Sequence, residues 1–252
     1  MTQRIAILLT NDDESAFAQA FADDGQKVAQ LLQPLRPDWQ FNIVRVIDGE
    51  LPPSVDAFDA HVITGSPASV NDDTLPWVRG LLDFIRALHA AQRLTIGLCF
   101  GHQAIARALG GQVERHAAGW GLGLHTTRWS QPQAWMQPAR SQMTLMAAHN
   151  EQVTQPPPGA QVLSGSDFCR IGSFSVGRHI FTTQYHPEMS PRFMHALLSH
   201  LDALAACGKV IDAATVQAAR QSLASIDGAQ HGPITDAQVL AQWMVQFLEP
   251  AA

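Results

Sequence analysis

The sequence predicts an α/β fold: three layers, with a mostly parallel central sheet flanked by helices, a smaller antiparallel sheet and a C-terminal helical extension. Three observations predict it. In the first half, short apolar runs alternate with stretches of helical spacing across short loops, the pattern of parallel strands covered on both faces. From Gln112 to Tyr185, short strand-like pieces are broken by Gly, Pro, Ser and Gln, which reads as antiparallel strands and turns plus a return to the main sheet. From Pro191 onward the pattern is helical.

Taken in order, Ile5–Leu9 is a buried-type apolar run, and Phe17–Leu35 carries helical spacing that ends near Pro34 and Pro37. Phe41–Ile47 alternates like a strand, and Ala60–Thr64 is a short strand stopped by Gly65. Leu75–Gln92 is helical, with Leu75, Val78, Leu81, Leu82, Ile85 and Leu88 on one stripe. Leu94–Leu98 is the next strand; Gly101–Leu109 is a helix closed by Gly110 and Gly111. Later strand-like pieces are Gly121–Arg128, Met143–Ala148, Gln161–Leu163 and His179–Tyr185. Helices are expected over Pro191–Ala206, Ala213–Ser225 and Asp236–Leu248, with Gly228–Pro233 separating the last two. The expected division is a domain over 1–206 and a helical extension over 207–252, packed on the core or on a partner.

The bulk numbers exclude several classes. The 252 residues are 46% hydrophobic and 15% charged, enough apolar material for a sizeable core. A formal net charge of −6 argues against non-specific nucleic-acid binding. No apolar run approaches the roughly 18 residues of a membrane span, and MTQRIAILLT is too short for a signal peptide. Three cysteines (Cys99, Cys169, Cys207) form no disulfide framework, so a cytoplasmic location is expected. There is no CxxC or HExxH; no metal and no cofactor are expected.

The strongest local signal is Gly97-Leu98-Cys99-Phe100-Gly101, with an apolar strand running in and a helix running out. That is the arrangement of a nucleophile elbow, where small flanking residues permit a sharp backbone turn. Cys99 then sits at a helix N-terminus, whose orphan N–H groups favour an anionic sulfur. Taken alone, the pentapeptide also fits a small buried residue at a tight turn. Cys169 and Cys207 show no elbow and read as packing residues.

A cysteine nucleophile needs a base, and the base needs an orienting group. Thr183-Gln184-Tyr185-His186-Pro187-Glu188 offers both. Pro187 forces His186 into extended backbone, where residues two apart face the same way. His186 and Glu188 thus project together at a strand end. The alternative is that His-Pro-Glu starts a helix, with His186 an ordinary surface residue. His102 is the rival base, but it lies just beyond Cys99 on the same helix and should point away from the sulfur. A third segment, Val62-Ile63-Thr64-Gly65-Ser66-Pro67, ends a strand in small residues; the Gly65 and Phe100 N–H groups form a two-donor oxyanion hole, unless this is an ordinary turn.

The three segments ITGSPASV, GLCFGHQAIARALGG and TQYHPE resemble, in content and order, those of the class I (triad) glutamine amidotransferases. The similarity spans roughly Arg4 to Leu201. It implies a flavodoxin-like scaffold and a γ-glutamyl thioester on Cys99. It further implies His186 as base then acid, Glu188 as its orienter, and backbone oxyanion donors at Gly65 and Phe100. Gln103 is implied to contact the α-amino and α-carboxylate end of glutamine. His149-Asn150-Glu151 occupies the place of the loop that lines the glutamine pocket, departing from it at Asn150 and Glu151. Gly119-Trp120-Gly121 resembles a segment of structural role.

Two functions follow from the resemblance. The first is glutamine hydrolysis, with ammonia passed to a separate synthetase subunit, since no ATP-binding loop is present here. The second is a free-standing γ-glutamyl peptide or amide hydrolase, because GSPASVNDD and the cysteine segment also resemble γ-glutamyl peptidases. A non-enzymatic regulatory module on the same scaffold is a third, disfavoured by the intact triad. An α/β-hydrolase variant fails on order, since there the acid precedes the histidine.

Overall fold

The computed structural model describes residues 2–206, 211–227 and 235–249. Its strands are β1 (Arg4–Leu9), β2 (Gln40–Arg45), β3 (Ala60–Ile63), β4 (Leu94–Leu98), β5 (Gln112–Arg115), β6 (Gly121–Trp129), β7 (Gln142–His149), β8 (Glu151–Gln155), β9 (Ala160–Gly165), β10 (Ser173–Val176) and β11 (Ile180–Thr183). Its α-helices are α1 (Ala16–Gln19), α2 (Asp24–Leu32), α3 (Pro76–Ala90), α4 (Phe100–Ala108), α5 (Pro191–Ala206), α6 (Ala213–Asp227) and α7 (Ala237–Leu248).

Nine strands form one sheet in the order β2-β1-β3-β4-β11-β10-β9-β6-β7. From β2 to β11 every pairing is parallel. From β11 to β7 every pairing is antiparallel. The antiparallel half expected from the broken second-half texture is therefore continuous with the main sheet. A separate two-stranded sheet, β5-β8, lies apart from it.

Alternation along β1 explains the layers. Ile5 and Ile7 face one side, with Val28 and Leu32 of α2 and Leu240, Trp243 and Met244 of α7. Ala6 and Leu8 face the other, with Val78, Leu81 and Ile85 of α3 and Ala104 and Ile105 of α4. A third cluster joins Met194 and Leu198 of α5 to Val216, Ala219 and Leu223 of α6 and to Leu122 and Met146 of the antiparallel strands.

The C-terminal helix is thus part of the main core. Trp243 is fully buried, meets Trp129 edge-on at 4.8 Å and donates Nε1–H to Pro138 O at 3.1 Å. Trp243→Ala should destabilise the fold by about 3–5 kcal/mol, as large aromatic truncations in cores do. Urea denaturation of the variant beside the parent checks this; an unchanged midpoint would show that α7 contributes nothing to the cooperative unit.

Phe17–Leu35 is not one helix. Asp23 accepts a hydrogen bond from Gln26 N (2.7 Å), and the Gln26 side chain accepts one from Asp23 N (3.1 Å). This capping box starts a new helix at Asp24 and leaves α1 as one short turn. Strands β5, β8 and β10 lie outside the strand-like pieces read from sequence. β10 (SFSV) is buried throughout, and its serines concealed it. The expected separator Gly228–Pro233 lies outside the described residues.

Candidate active site

Register places the site. Ile63 pairs with Gly97, and Leu98 pairs with Thr183, so β3, β4 and β11 end side by side. Gly65, Cys99 and His186 leave those three adjacent strand ends, where loops carry chemistry in parallel sheets. Cys99 N–H donates to Thr183 O at 2.9 Å, tying the nucleophile strand directly to the histidine strand.

Cys99 has φ 49° and ψ −101°, a conformation that non-glycine residues adopt only under constraint. The constraint is steric. A side chain at Gly97 would lie 2.6 Å from the Gly101 carbonyl carbon, and one at Gly101 would overlap Ile63 O. β4 and α4 can approach this closely only with glycine on both sides of the turn. The strain holds Cys99 at the N-terminus of α4, 4% exposed.

His186 Nδ1 lies 2.6 Å from Glu188 Oε1, and both side chains are buried. His186 N–H donates to Met146 O at 2.9 Å, which locks the loop onto β7. This pairing removes the reading of His186 as a surface residue starting a helix; α5 begins only at Pro191. Burial pushes the His186 pKa down, but the charges of a Cys99 thiolate and the Glu188 carboxylate outweigh it. The net displacement is well above the ordinary histidine value. Cys99 raises the His186 pKa both through its charge and as a hydrogen-bond partner, and Glu188 does the same from the other side.

Gly65 sits against both partners. A Cβ there would come within 2.9 Å of His186 Cε1 and 3.7 Å of Cys99 Cβ. Its loop is fixed by Thr10 Oγ1, which lies 3.0 Å from both Thr64 O and Gly65 O. With Phe100 at the start of α4, Gly65 and Phe100 flank Cys99 on two adjacent chain segments.

The cleft at this point has a volume of about 910 Å³ and is lined by Cys99, His186, Gly65, Gln103, His149, Asn150 and Glu151 among others. Gln103 Nε2 donates to Glu151 O at 2.7 Å and to Gln184 Oε1 at 3.2 Å. Its amide nitrogen is therefore spent on the protein, bridging the pocket loop to the histidine strand. The Glu151 carboxylate accepts from Ser69 Oγ at 2.8 Å, and His149 Nδ1 lies 3.1 Å from Glu151 O. Burial pushes His149 down to about 3, so it is neutral.

Sequence reasoning missed Gln184. It is fully buried, and its Nε2 lies 3.5 Å from Cys99 Sγ, a donor aimed at the nucleophile. The signal was present: in extended chain, Gln184 lies two residues before His186 and faces the same way. Trp120 also lines the cleft, beyond the structural role expected of its segment.

The rivals fall away. His102 Nδ1 lies 2.8 Å from Thr182 Oγ1, the ring packs on Phe174, and burial pushes its pKa down to about 3. Burial pushes the Cys169 thiol up to about 12, leaving it unreactive. Cys207 lies outside the described residues. Among the described residues no group of three or more metal-ligating side chains comes together, and no helix is long and apolar enough to cross a membrane.

Glu188→Gln should keep the fold and lower kcat/KM by about 10²–10⁴-fold, since a neutral amide no longer holds and compensates an imidazolium. The sign of the pH effect follows. Losing one of the two anions that raise the His186 pKa moves its deprotonation, and the alkaline limb of the rate profile, to lower pH. An alkaline limb left in place would show that Glu188 does not act through His186.

A strained cysteine and a buried histidine–carboxylate pair thus stand together at adjacent parallel strand ends. Comparison with known proteins agrees. The family model for glutamine amidotransferase class-I matches residues 23–201, and the chain belongs to that family. Gamma-glutamyl peptidase 2 of Arabidopsis thaliana is 30% identical over 195 residues, covering 74% of this chain and 72% of that protein. A glutamine-hydrolyzing GMP synthase subunit of Sulfolobus acidocaldarius is 30% identical over 133 residues, covering 52% of this chain and 68% of that protein. The crystal structure of a glutamine amidotransferase from Thermotoga maritima superposes with a TM-score of 0.73 at 15% identity, covering 99% of this chain and 100% of that one, which bears on the fold alone. The family and these relatives indicate a hydrolase.

Proposed function

We propose that the protein hydrolyses γ-glutamyl amides through a thioester on Cys99. The observation that carries this is Cys99 beside the His186–Glu188 pair at the floor of a large cleft. The Cys99 thiolate, its proton already on His186 Nε2, attacks the amide carbon. The C–O double-bond electrons move onto oxygen, held by the Gly65 and Phe100 N–H groups. As the oxyanion collapses, the C–N bond breaks and His186 returns the proton to the departing nitrogen. Water, deprotonated by His186, then attacks the thioester carbon; the C–S bond breaks with its electron pair going to sulfur, releasing glutamate and restoring the thiolate–imidazolium pair. No step calls for a metal or cofactor. Gln103, His149, Asn150 and Glu151 shape the γ-glutamyl side of the cleft, Gln103 by bridging rather than by offering its amide nitrogen.

The departing nitrogen is that of an amine rather than free ammonia. About 300–1,000 Å³ suits a drug-sized ligand, and 910 Å³ is near the top of that range, well beyond glutamine. The similarity to γ-glutamyl peptidases supports the same choice. A second reading, glutamine hydrolysis that supplies ammonia to a separate synthetase subunit, is supported by the similarity to a GMP synthase subunit. Catalysis is assigned to residues 1–206, with 207–252 as a helical extension whose α7 packs on the core, in a cytoplasmic protein.

The test is a panel. Purified protein alone is offered glutamine and several γ-glutamyl amides, and released ammonia and amine are measured. Amine release with little ammonia is expected. Fast glutamine turnover, or turnover only once a synthetase is added, would replace this reading with the second.

A further inference from the structure

Helix α5 begins only three residues after Glu188, and one of its faces lines the cleft with Phe193, Leu197, Leu201 and Leu204. These positions repeat at four, four and three residues, one stripe of a helix. Leu197 and Leu204 are only partly buried although apolar, packing on the α5–α6 core while also lining the cleft. Facing it is Phe17 of α1, whose ring packs on Phe193 at 5.6 Å and lies parallel to His200 at 4.8 Å. The wall is held rigid: Lys27 Nζ sits 3.6 Å above the Phe193 ring and is itself paired with Asp24 at 2.7 Å.

Chemistry decides which part of a substrate meets this wall. His186 must deliver its proton to the departing nitrogen, so the leaving group lies on the His186 side of Cys99. The chain runs from His186 through Met189, another cleft residue, straight into α5. The part of the cleft at Gln103 and His149–Glu151 is polar and suits the charged end of a γ-glutamyl group. Arg115 pairs in register with Glu151 and so belongs to that polar end.

Resting on the γ-glutamyl amide reading above, we propose that the α1–α5 wall is a leaving-group subsite, and that the substrates are γ-glutamyl amides of bulky apolar amines. Recognition there comes from burying an aromatic or branched aliphatic group between Phe17 and the α5 stripe. Asp13, Glu14 and Asp23 line the same cleft; Lys27 and Arg45 line it too, each paired with a carboxylate, Asp24 and Asp48. With those cations neutralised by their own partners, a free carboxylate on the leaving portion meets net negative charge, so an amine is preferred over the matching amino acid.

The experiment compares kcat/KM for γ-L-glutamyl-2-phenylethylamide, γ-L-glutamyl methylamide and γ-L-glutamyl-phenylalanine in the full chain. The phenylethylamide should exceed the methylamide by about 10–200-fold, the discrimination an apolar pocket gives, and should exceed the dipeptide as well. Leu197→Asp, at a partly exposed helix position, and Phe17→Ala on its own should each cut the phenylethylamide-to-methylamide ratio by about tenfold or more. Equal rates for the two amides in the parent protein would overturn the subsite while leaving γ-glutamyl chemistry intact. So would a ratio that both variants leave unchanged, or a preference for the dipeptide. Failure to cleave any of the three would instead remove the γ-glutamyl reading and the subsite with it.

Discussion

Cys99→Ala should abolish turnover, lowering kcat by about 10⁵–10⁶-fold, because nucleophile, base and orienter act as a unit and losing the nucleophile loses nearly all they contribute together. The size of the effect follows from geometry. Among the described residues no second thiol can substitute: burial pushes Cys169 up to about 12, where the reactive thiolate is scarce. The folded state should survive, since the strained backbone at φ 49° is held by the glycine contacts around it rather than by the sulfur. An electrophilic glutamine analogue such as 6-diazo-5-oxonorleucine should label the parent protein once, at Cys99, and leave the variant unmodified. Peptide mapping reads the site directly. A label on Cys169 or Cys207 would move the nucleophile elsewhere.

His186→Ala is the second large effect, a loss of about 10³–10⁶-fold in kcat. Neither His102 nor His149 can substitute, since His102 is bonded to Thr182 Oγ1 and pushed down to about 3, and His149 is likewise near 3. The parent protein should also show its alkaline limb above the ordinary histidine range. Burial alone would favour neutral imidazole, but the Cys99 and Glu188 charges win, so the imidazolium persists as pH rises past 6.5 and is lost only at its elevated pKa. The same sign applies to stability: the contribution of this pairing is present below the unfolded value and disappears as pH climbs through the folded one. A His186→Ala protein with parent-like rates would send the search for the base elsewhere in the cleft.

Much of this was legible in the order of residues. Stripe spacing marked α3, and the glycines around Cys99 marked a sharp turn between strand and helix, because only small residues fit there. His186 and Glu188 were legible as a pair because extended backbone puts residues two apart on one side. Gln184 obeys the same rule but carries no charge, so nothing singled it out until its donor was seen beside the sulfur. The break between α1 and α2 was hidden because Gln26 suits a helix interior as well as the third position of a capping box, and apolar spacing does not separate the two.

What the sequence by itself determined is local: which segments are strands and helices, where the chain turns sharply on small residues, and which side chains are fit for nucleophile, base and orienter. What only the tertiary structure decided is long-range. Strand order places β3, β4 and β11 next to one another, and parallel register then ends them level, so Gly65, Cys99 and His186 meet. Likewise only packing brings α1 and α5 together into an apolar wall. The physical reason is the same in both cases: backbone propensity and periodicity act over a few residues, whereas hydrogen-bond register and burial join residues more than eighty positions apart.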